Sequence, residues 1–548
     1  MTASAASSMT SLMAFKRAID VHSQNVAGVN TEGYVRRTVS LSPGTLLESG
    51  SGSQGGREDT VVIRRQVDEF LVDQARVTGS NAERARIVAE KAGQLKGLLS
   101  ADSASLQDSL VSLRDGFDGL ASQPTSAYAR DTLMSRLEST ISRLHDLDDR
   151  IRLYEGEIDS RISSEVDTLN ALTKQVADLN RKIASGTVEN SSANSTLLDM
   201  RDRAVDRIAQ KVSIRVLPGT NGALSVSTTS GVSLVEGLDS ATLTTISDPY
   251  QRDRLMVALV TDAGIREIPD QFGGGMIGGL IETRSTLIDP SRNQLGRVAA
   301  GLAMLLNDQN KQGVTPTGTA GTNIVTIGGP VVMARSGNTG TATINASIDD
   351  VKKLTAGDYL VERTGTNWVV RRSDTLEAVA TTGAGTAASP IKFEGLSLVM
   401  SGTPANADRF LIRPTRDAVT GLALTTTNSK VIAAAKSGSD AGSGDNTNAL
   451  AMARLFDDNV FDDSQRSLRG IAERLTGRVA GIADSSATSA EVQTLAAEEA
   501  QSARANMSSV NLDEEAAELL RFQQAYQAAA QVMRMSNQLF DSLLTIAR

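Results

Sequence analysis

The chain has 548 residues, 40% of them hydrophobic and 22% charged, enough to build several folded domains and too much for one core. It has no cysteine and only two histidines, His22 and His145, which excludes disulfide frameworks and thiolate metal sites and makes histidine-based zinc or acid–base chemistry unexpected. With 55 Lys+Arg against 64 Asp+Glu, a net charge of −9 and 3% aromatics, no nucleic-acid surface is expected, and the composition points to a structural or assembly protein.

Residues 1–20 show no cationic start followed by an unbroken apolar run, so no ordinary signal peptide is expected. Apolar runs such as Leu255 to Val260 fall well short of the roughly 20 residues of a membrane helix. The composition fits a cytoplasmic protein, or one exported by a route that reads no cleavable signal.

In chain order, the first element is a helix with mostly small or apolar residues at Ala5, Ser8, Leu12, Phe15, Ile19, His22 and Val26, steps of three and four that form a coiled-coil seam. Helices are predicted over about 81–121, 127–149 and 150–184, the last with a seam through Ile158, Ile162, Val166, Leu169, Val176, Leu179 and Ile183. A further helix, Leu197 to Ile208, holds the acid- and base-dense run from Leu198 to Arg203. From Lys211 to about 270, short alternating runs between Pro-Gly and Asn-Gly turns predict strands. A helix returns over Gly279–Asn310. The Thr-, Gly- and Val-rich stretch 315–428 then has strand patterns at 358–362, 368–372, 396–400 and 409–412. Helices resume from Asn448, with a break predicted near Ser485–Ser489. The last one starts at Asn511 as N-cap, with Asp513, Glu514 and Glu515 in its first turn, and carries a seam through Leu519, Phe522, Tyr526, Ala529, Met533, Ser536, Phe540, Leu543 and Ala547.

Chemistry-bearing motifs are weak. Gly273–Gly278 fits a G-x-G-x-x-G string, but a short, proline-ended segment precedes it and no acid follows at the right distance, so a flexible strand-to-helix connection is the better reading. The cluster Asp457, Asp458, Asp462 and Asp463 lacks the Gly and distal Glu of a calcium loop and reads as a solvated helix boundary. Glu514 and Glu515, with no histidine or cleft beside them in sequence, read as helix capping. His22 reads as a polar residue at a helix contact in preference to a protonation switch, and Trp368 as core of the second β region.

Two terminal strings stand out: Ser23-Gln24-Asn25-Val26-Ala27-Gly28-Val29-Asn30-Thr31-Glu32-Gly33-Tyr34, and Ser508-Ser509-Val510-Asn511-Leu512-Asp513-Glu514-Glu515 followed by Leu520-Arg521-Phe522-Gln523-Gln524-Ala525-Tyr526. Together they resemble the paired terminal motifs of the bacterial flagellar axial proteins, the rod, hook and hook-associated subunits. Interior strings, Asn194 to Asp202, Gly278 to Arg284 leading to Asn307 and Gly313, Thr355 to Tyr359 and Phe393 to Leu396, are similar to elements of the hook-associated branch, which joins hook to filament. Gln24 stands where that family usually has Asn, and His22 is unusual there.

The fold class read from these elements is α+β multidomain: a coiled-coil-like helical stem formed by both chain termini, with inserted β-rich outer domains. The expected partition is 1–70 for the N-terminal part of an inner terminal-helix domain, 71–210 for a helical stem, 211–272 for a β-rich insertion, 273–314 for more stem, 315–428 for an outer β-rich insertion, 429–508 for the last stem segment and 509–548 for the C-terminal inner helix. The resemblance implies a non-enzymatic subunit without cofactor or metal, stacked into a tube with its terminal helices on the channel side. It also implies export unfolded through a type III apparatus. The implied partners are further copies of itself, the hook protein, a second junction protein and an export chaperone. The assembly interface is assigned to Leu12, Phe15, Ile19, Asn25, Val26, Asn30, Gly33 and Tyr34 at one end and to Asn511, Leu512, Leu519, Phe522, Tyr526, Met533, Phe540 and Leu543 at the other. The alternatives are another axial subunit such as the hook protein, disfavoured by the long helices at 81–184, and a secreted surface adhesin built on 315–428, which would need a signal or anchor.

Overall fold

A computed structural model describes residues 3–31, 33–42, 60–100, 105–185, 192–252, 254–268 and 272–546. The first helix, α1 (Ala3–Gly28), leads through a turn into an antiparallel ribbon of β1 (Arg37–Ser42) and β2 (Thr60–Arg65), in register from Arg37 opposite Arg65 to Ser42 opposite Thr60. The stem then begins with α2 (Glu69–Ser100), α3 (Leu106–Ser122), α4 (Ala127–Ala184) and α5 (Ser192–Lys211).

Three helix predictions are corrected here. The segment predicted as one helix over 81–121 is two, because Ser105 and Asp108 form a reciprocal capping box that starts α3 afresh. The two helices predicted over 127–149 and 150–184 are a single helix of 58 residues, since Asp149-Arg150-Ile151 contains nothing that stops one. Its seam residues Leu144, Ile151, Ile158, Ile162, Val166, Leu169 and Val176 are all buried. The break predicted at 485–489 is also absent, because the segment holds no Gly or Pro, and its hydroxyls bond back within the helix, Ser485 Oγ to Ile482 O at 3.1 Å and Thr488 Oγ1 to Asp484 O at 3.1 Å.

After α5 comes a first β region of two antiparallel sheets, one of four strands within Ile214–Ser240 and one of three within Thr242–Glu267. The chain returns to the stem through α6 (Gly275–Thr283), a π turn (Arg284–Ile288) and α7 (Asp289–Lys311), which follow one another without a gap. The glycine string before α6 is not a slack connection: Gly275 has φ 62°, and a Cβ on it would overlap the backbone of Lys211 and Val212, so the string is where α6 presses on the end of α5.

An outer β region follows, with a four-stranded sheet ordered Val331–Ala334, Arg409–Arg413, Tyr359–Thr364, Asn367–Arg372 and a three-stranded one ordered Thr343–Ile348, Leu396–Ser401, Ile391–Phe393. Trp368 is half-buried in the first of these, edge-on to Phe410 at 5.9 Å. Short pairings of Val325–Thr326 with Ala423–Leu424 and of Gly313–Val314 with Ala435–Lys436 close the neck of the insertion. The helices α8 (Thr447–Arg454), α9 (Leu468–Ser508) and α10 (Leu512–Ile546) complete the chain. The connected apolar core runs from Ile87 to Ala483 and takes in the stem and both β regions, but none of the described side chains of α1 or α10. The acidic cluster between α8 and α9 is less solvated than expected: Asp462 pairs with Arg297 at 2.6 Å and Arg466 at 3.2 Å, and Asp457 with Arg114 at 2.7 Å.

Candidate functional site: where the two chain ends meet

The helices α1 and α10 pack side by side, and their contact is organised around one carboxylate. Glu515, in the first turn of α10, is fully buried. Its Oε2 takes hydrogen bonds from Asn25 Nδ2 at 2.9 Å and His22 Nδ1 at 2.5 Å, and its Oε1 from Arg36 Nε at 2.8 Å. Burial alone would raise the Glu515 pKa, but the hydrogen bonds from Asn25, His22 and Arg36 outweigh it and hold the carboxyl below its ordinary range. Glu515 therefore does more than cap: it ties two segments 479 to 493 positions apart in sequence. Its neighbour Glu514 pairs with the same Arg36 at 2.8 Å.

Asn25 is the second pivot. Its Nδ2 also donates to Arg37 O at 2.9 Å, and its Oδ1 accepts from Arg37 N at 3.1 Å and Tyr34 Oη at 2.9 Å, which fills every hydrogen-bonding position of the amide. The intervening turn explains the glycine spacing. Gly33 has φ 71°, which lets the chain reverse so that the Tyr34 ring lies over Gly28, where any Cβ would strike it. The guanidinium of Arg37 then sits 5.0 Å from the centre of that ring.

From Arg37 the network enters the stem. Its Nη2 donates to Thr196 Oγ1 at 3.0 Å and Asp199 Oδ2 at 3.2 Å, while Arg65 on β2 donates to Asp199 Oδ1 at 2.9 Å and Asp202 Oδ2 at 2.6 Å. Asp206, one turn further along α5, pairs with Arg76 at 2.7 Å and with Arg504 near the end of α9 at 2.9 Å. The Arg36 amide donates to Ser508 O at 2.9 Å. The N-terminal string, the C-terminal string and the Asn194–Asp202 string are thus parts of one polar junction.

Above it lies an aromatic contact: Phe522 is buried, stacked on His22 at 5.4 Å and tilted against Phe15 at 6.4 Å. Phe15, His22 and Phe522, all predicted seam positions, thus meet one another within the chain. Leu12, Ile19, Leu519 and Met533 are half-buried along the helix pair, whereas Asn30, Asn511, Leu512, Val26 and Tyr526 are largely exposed. The side chains of Phe540 and Leu543 lie outside the described residues. Asn511 Oδ1 accepts from the Asp513 amide at 3.0 Å, as an N-cap should.

The sequence reading left Arg36, Arg37, Arg65 and Glu515 out of the site and placed Asp199 and Asp202 only in a motif. The legible signal was charge complementarity between doublets: Arg36-Arg37 directly after one terminal motif, Glu514-Glu515 inside the other.

Residues 92–325 match the family described as "Flagellar hook-associated protein FlgK helical domain", residues 333–414 "Flagellar hook-associated protein 1, D2-like domain", and residues 501–546 "Flagellar basal body rod FlgEFG protein C-terminal". Flagellar hook-associated protein 1 of Escherichia coli (strain K12) is 30% identical over 550 residues, with 98% of each chain covered. The protein of that name from Salmonella typhimurium is 29% identical over 547 residues, again covering 98% of each. The fold is shared with the solved flagellar hook junction protein FlgK from Burkholderia pseudomallei, at a TM-score of 0.73 and 22% identity, over 79% of this chain and 99% of that one.

Proposed function

Because the chain belongs to the flagellar hook-associated protein 1 family, we propose that it is a structural subunit of the bacterial flagellum that joins hook to filament. The observation that carries this reading is similarity over 98% of the chain, terminal motifs included. The geometry supports a non-enzymatic role: the most elaborate polar cluster at the chain ends spends its hydrogen bonds on holding two helices and a ribbon together.

In this reading the subunits form a ring or helical layer. The sides of α10 turned away from α1 carry Leu520, Val532, Met535 and Leu539, each at least half exposed, and α1 adds Met9 and Met13. These side chains, with Tyr526, Val26 and Leu512 from the original assignment, meet neighbouring copies and, at the two ends of the layer, the hook protein and a second junction protein. The chain leaves the cell unfolded through the flagellar export apparatus, attended by a chaperone, without cleavage of a signal. The inner helices, the helical stem and the two β regions divide the work, with the β regions outermost.

Cells deprived of this chain are expected to carry hooks without filaments in electron micrographs, and filaments to return when it is supplied. Loss of the hooks themselves would point to the hook subunit instead, and unaltered filaments would overturn the reading.

A further inference from the structure

Far from the chain ends, a second polar cluster lies where α4, α7 and both β regions converge. Arg292 on α7 pairs with Asp148 at 3.1 Å and Glu155 at 3.0 Å, both on α4. Arg416, in the turn that follows the strand Arg409–Arg413, pairs with the same Glu155 at 2.9 Å and with Asp289 at 3.0 Å. Asp289 also receives Arg254 of the first β region at 2.7 Å. On the flanks, Arg284 pairs with Asp159 at 2.7 Å, and Arg413 with Asp358 at 3.3 Å. Every one of these side chains is at most 15% exposed.

The local chain geometry serves this convergence. Pro290 offers no N–H to the turn before it, and the helix widens there into the π turn 284–288, where the Asp289 amide bonds back to Arg284 O. Arg284, Asp289 and Arg292 emerge around that turn. Asn293 extends the contact, giving its Nδ2 to Asp358 Oδ1 at 2.9 Å and accepting Thr415 Oγ1 at its carbonyl at 2.9 Å.

Among these buried side chains the charges balance only across regions, the half-exposed Arg152 reaching Asp148 from the solvent side at 3.9 Å. The stem supplies four carboxylates (Asp148, Glu155, Asp159, Asp289) against two guanidiniums (Arg284, Arg292), two negative charges in surplus. The first β region supplies Arg254, and the outer region supplies Arg413 and Arg416 against Asp358, so each contributes one positive charge. A buried charge without its partner is strongly destabilising, because desolvation is then uncompensated.

We propose that this ionic knot is a socket that fixes the angle of the outer β region on the stem, so that the region is carried as a rigid arm and the stem depends on it for charge balance. The inference goes beyond the junction reading and stands without it. Excising 321–425 would remove Arg413 and Arg416, leaving Glu155 with Arg292 as its guanidinium partner and Asp289 with Arg254.

The absence of cysteine makes a direct test possible. Cysteines placed at Leu153 on α4 and Lys353 in the outer region, 77% and 71% exposed, accept spin labels without background. Pulsed electron paramagnetic resonance on the full chain is expected to give one narrow distance distribution. Arg416→Met should broaden it and lower the melting temperature with helical circular dichroism retained. Adding Glu155→Gln should recover most of the lost melting temperature, since it removes the negative charge that Arg416 had balanced. An unchanged distance distribution in folded Arg416→Met would overturn the proposal. So would a double variant no more stable than Arg416→Met alone, a comparison that holds even if the single variant fails to fold.

Discussion

Helices α4 and α10 are both long and both patterned for one-sided contact, yet they are held in opposite ways. Over its 58 residues α4 buries a side chain on almost every turn, against α3, α5, α7 and both β regions. Over its 35 residues α10 buries only Glu515 and Phe522 among its described side chains, and touches α1 alone as a major neighbour. Burial of a Leu or Ile contributes roughly 1.5–3 kcal/mol, so α4 is stabilised many times over within one chain. The exposed apolar side of α10 has no such support among the described residues.

The largest effect that could break this contrast is a buried charge in α4. Leu144, fully buried, changed to Asp should cost on the order of 3–5 kcal/mol and collapse the cooperative melt of the whole stem. Leu539→Asp on α10, at a position 62% exposed, should leave the monomer melt within about 0.5 kcal/mol of the parent. In cells the order reverses in kind: Leu539→Asp should be exported yet fail to hold filaments, because the charge recurs at every subunit contact. A monomer destabilised by Leu539→Asp, or filaments that tolerate it, would show that this face is not the one left for neighbours.

The contrast also marks what the sequence could reveal. The long seam of α4 and the seams of both ends were readable because steps of three and four accumulate over many turns, and the β regions because alternation and Gly/Thr-rich turns interrupt them. That α4 is one helix, and α9 likewise, was missed because serines and charged residues were given the weight of breakers they do not have without Gly or Pro. The junction at Glu515 was hidden for another reason. A carboxylate in a first helical turn is fully explained by local capping, and nothing local distinguishes one that receives Arg36 from the far end of the chain. The ionic knot was less legible still, since Arg254, Asp289 and Arg416 belong to no motif and acquire meaning only when three regions meet.

A smaller effect sharpens the comparison at that junction. Glu515→Gln keeps the shape and removes the charge, leaving Arg36 and His22 facing a neutral amide in a closed site. A loss of about 2 kcal/mol, typical of a broken charged hydrogen bond, should appear as faster amide exchange by about thirtyfold in α1 and α10, with α4 unchanged. Acid should act in the same direction. Because the folded pKa of Glu515 is depressed, its contribution is present above the unfolded value of about 4.3 and is lost as pH falls through the lower folded value. Exchange protection of the two end helices should therefore weaken between about pH 4.3 and the folded pKa, and Glu515→Gln should abolish that step. A pH response of the ends identical in parent and variant would move the titrating group elsewhere.

The smallest effect separates the tie from the cap that stands next to it. Asn511 accepts the Asp513 amide at 3.0 Å and is itself exposed, with no bond across to α1 among the described residues. Asn511→Ala should therefore cost only about 1 kcal/mol, the usual worth of an N-cap, felt as a few-fold faster exchange in the first turn of α10. The Asp513, Glu514 and Glu515 carboxylates still lie against the positive end of the helix, and Glu515 still holds Arg36, so the pairing of α1 with α10 should survive and filaments should form normally. If Asn511→Ala loosened the ends as much as Glu515→Gln, the contact would depend on where α10 begins and not on the carboxylate that binds across to the other end of the chain.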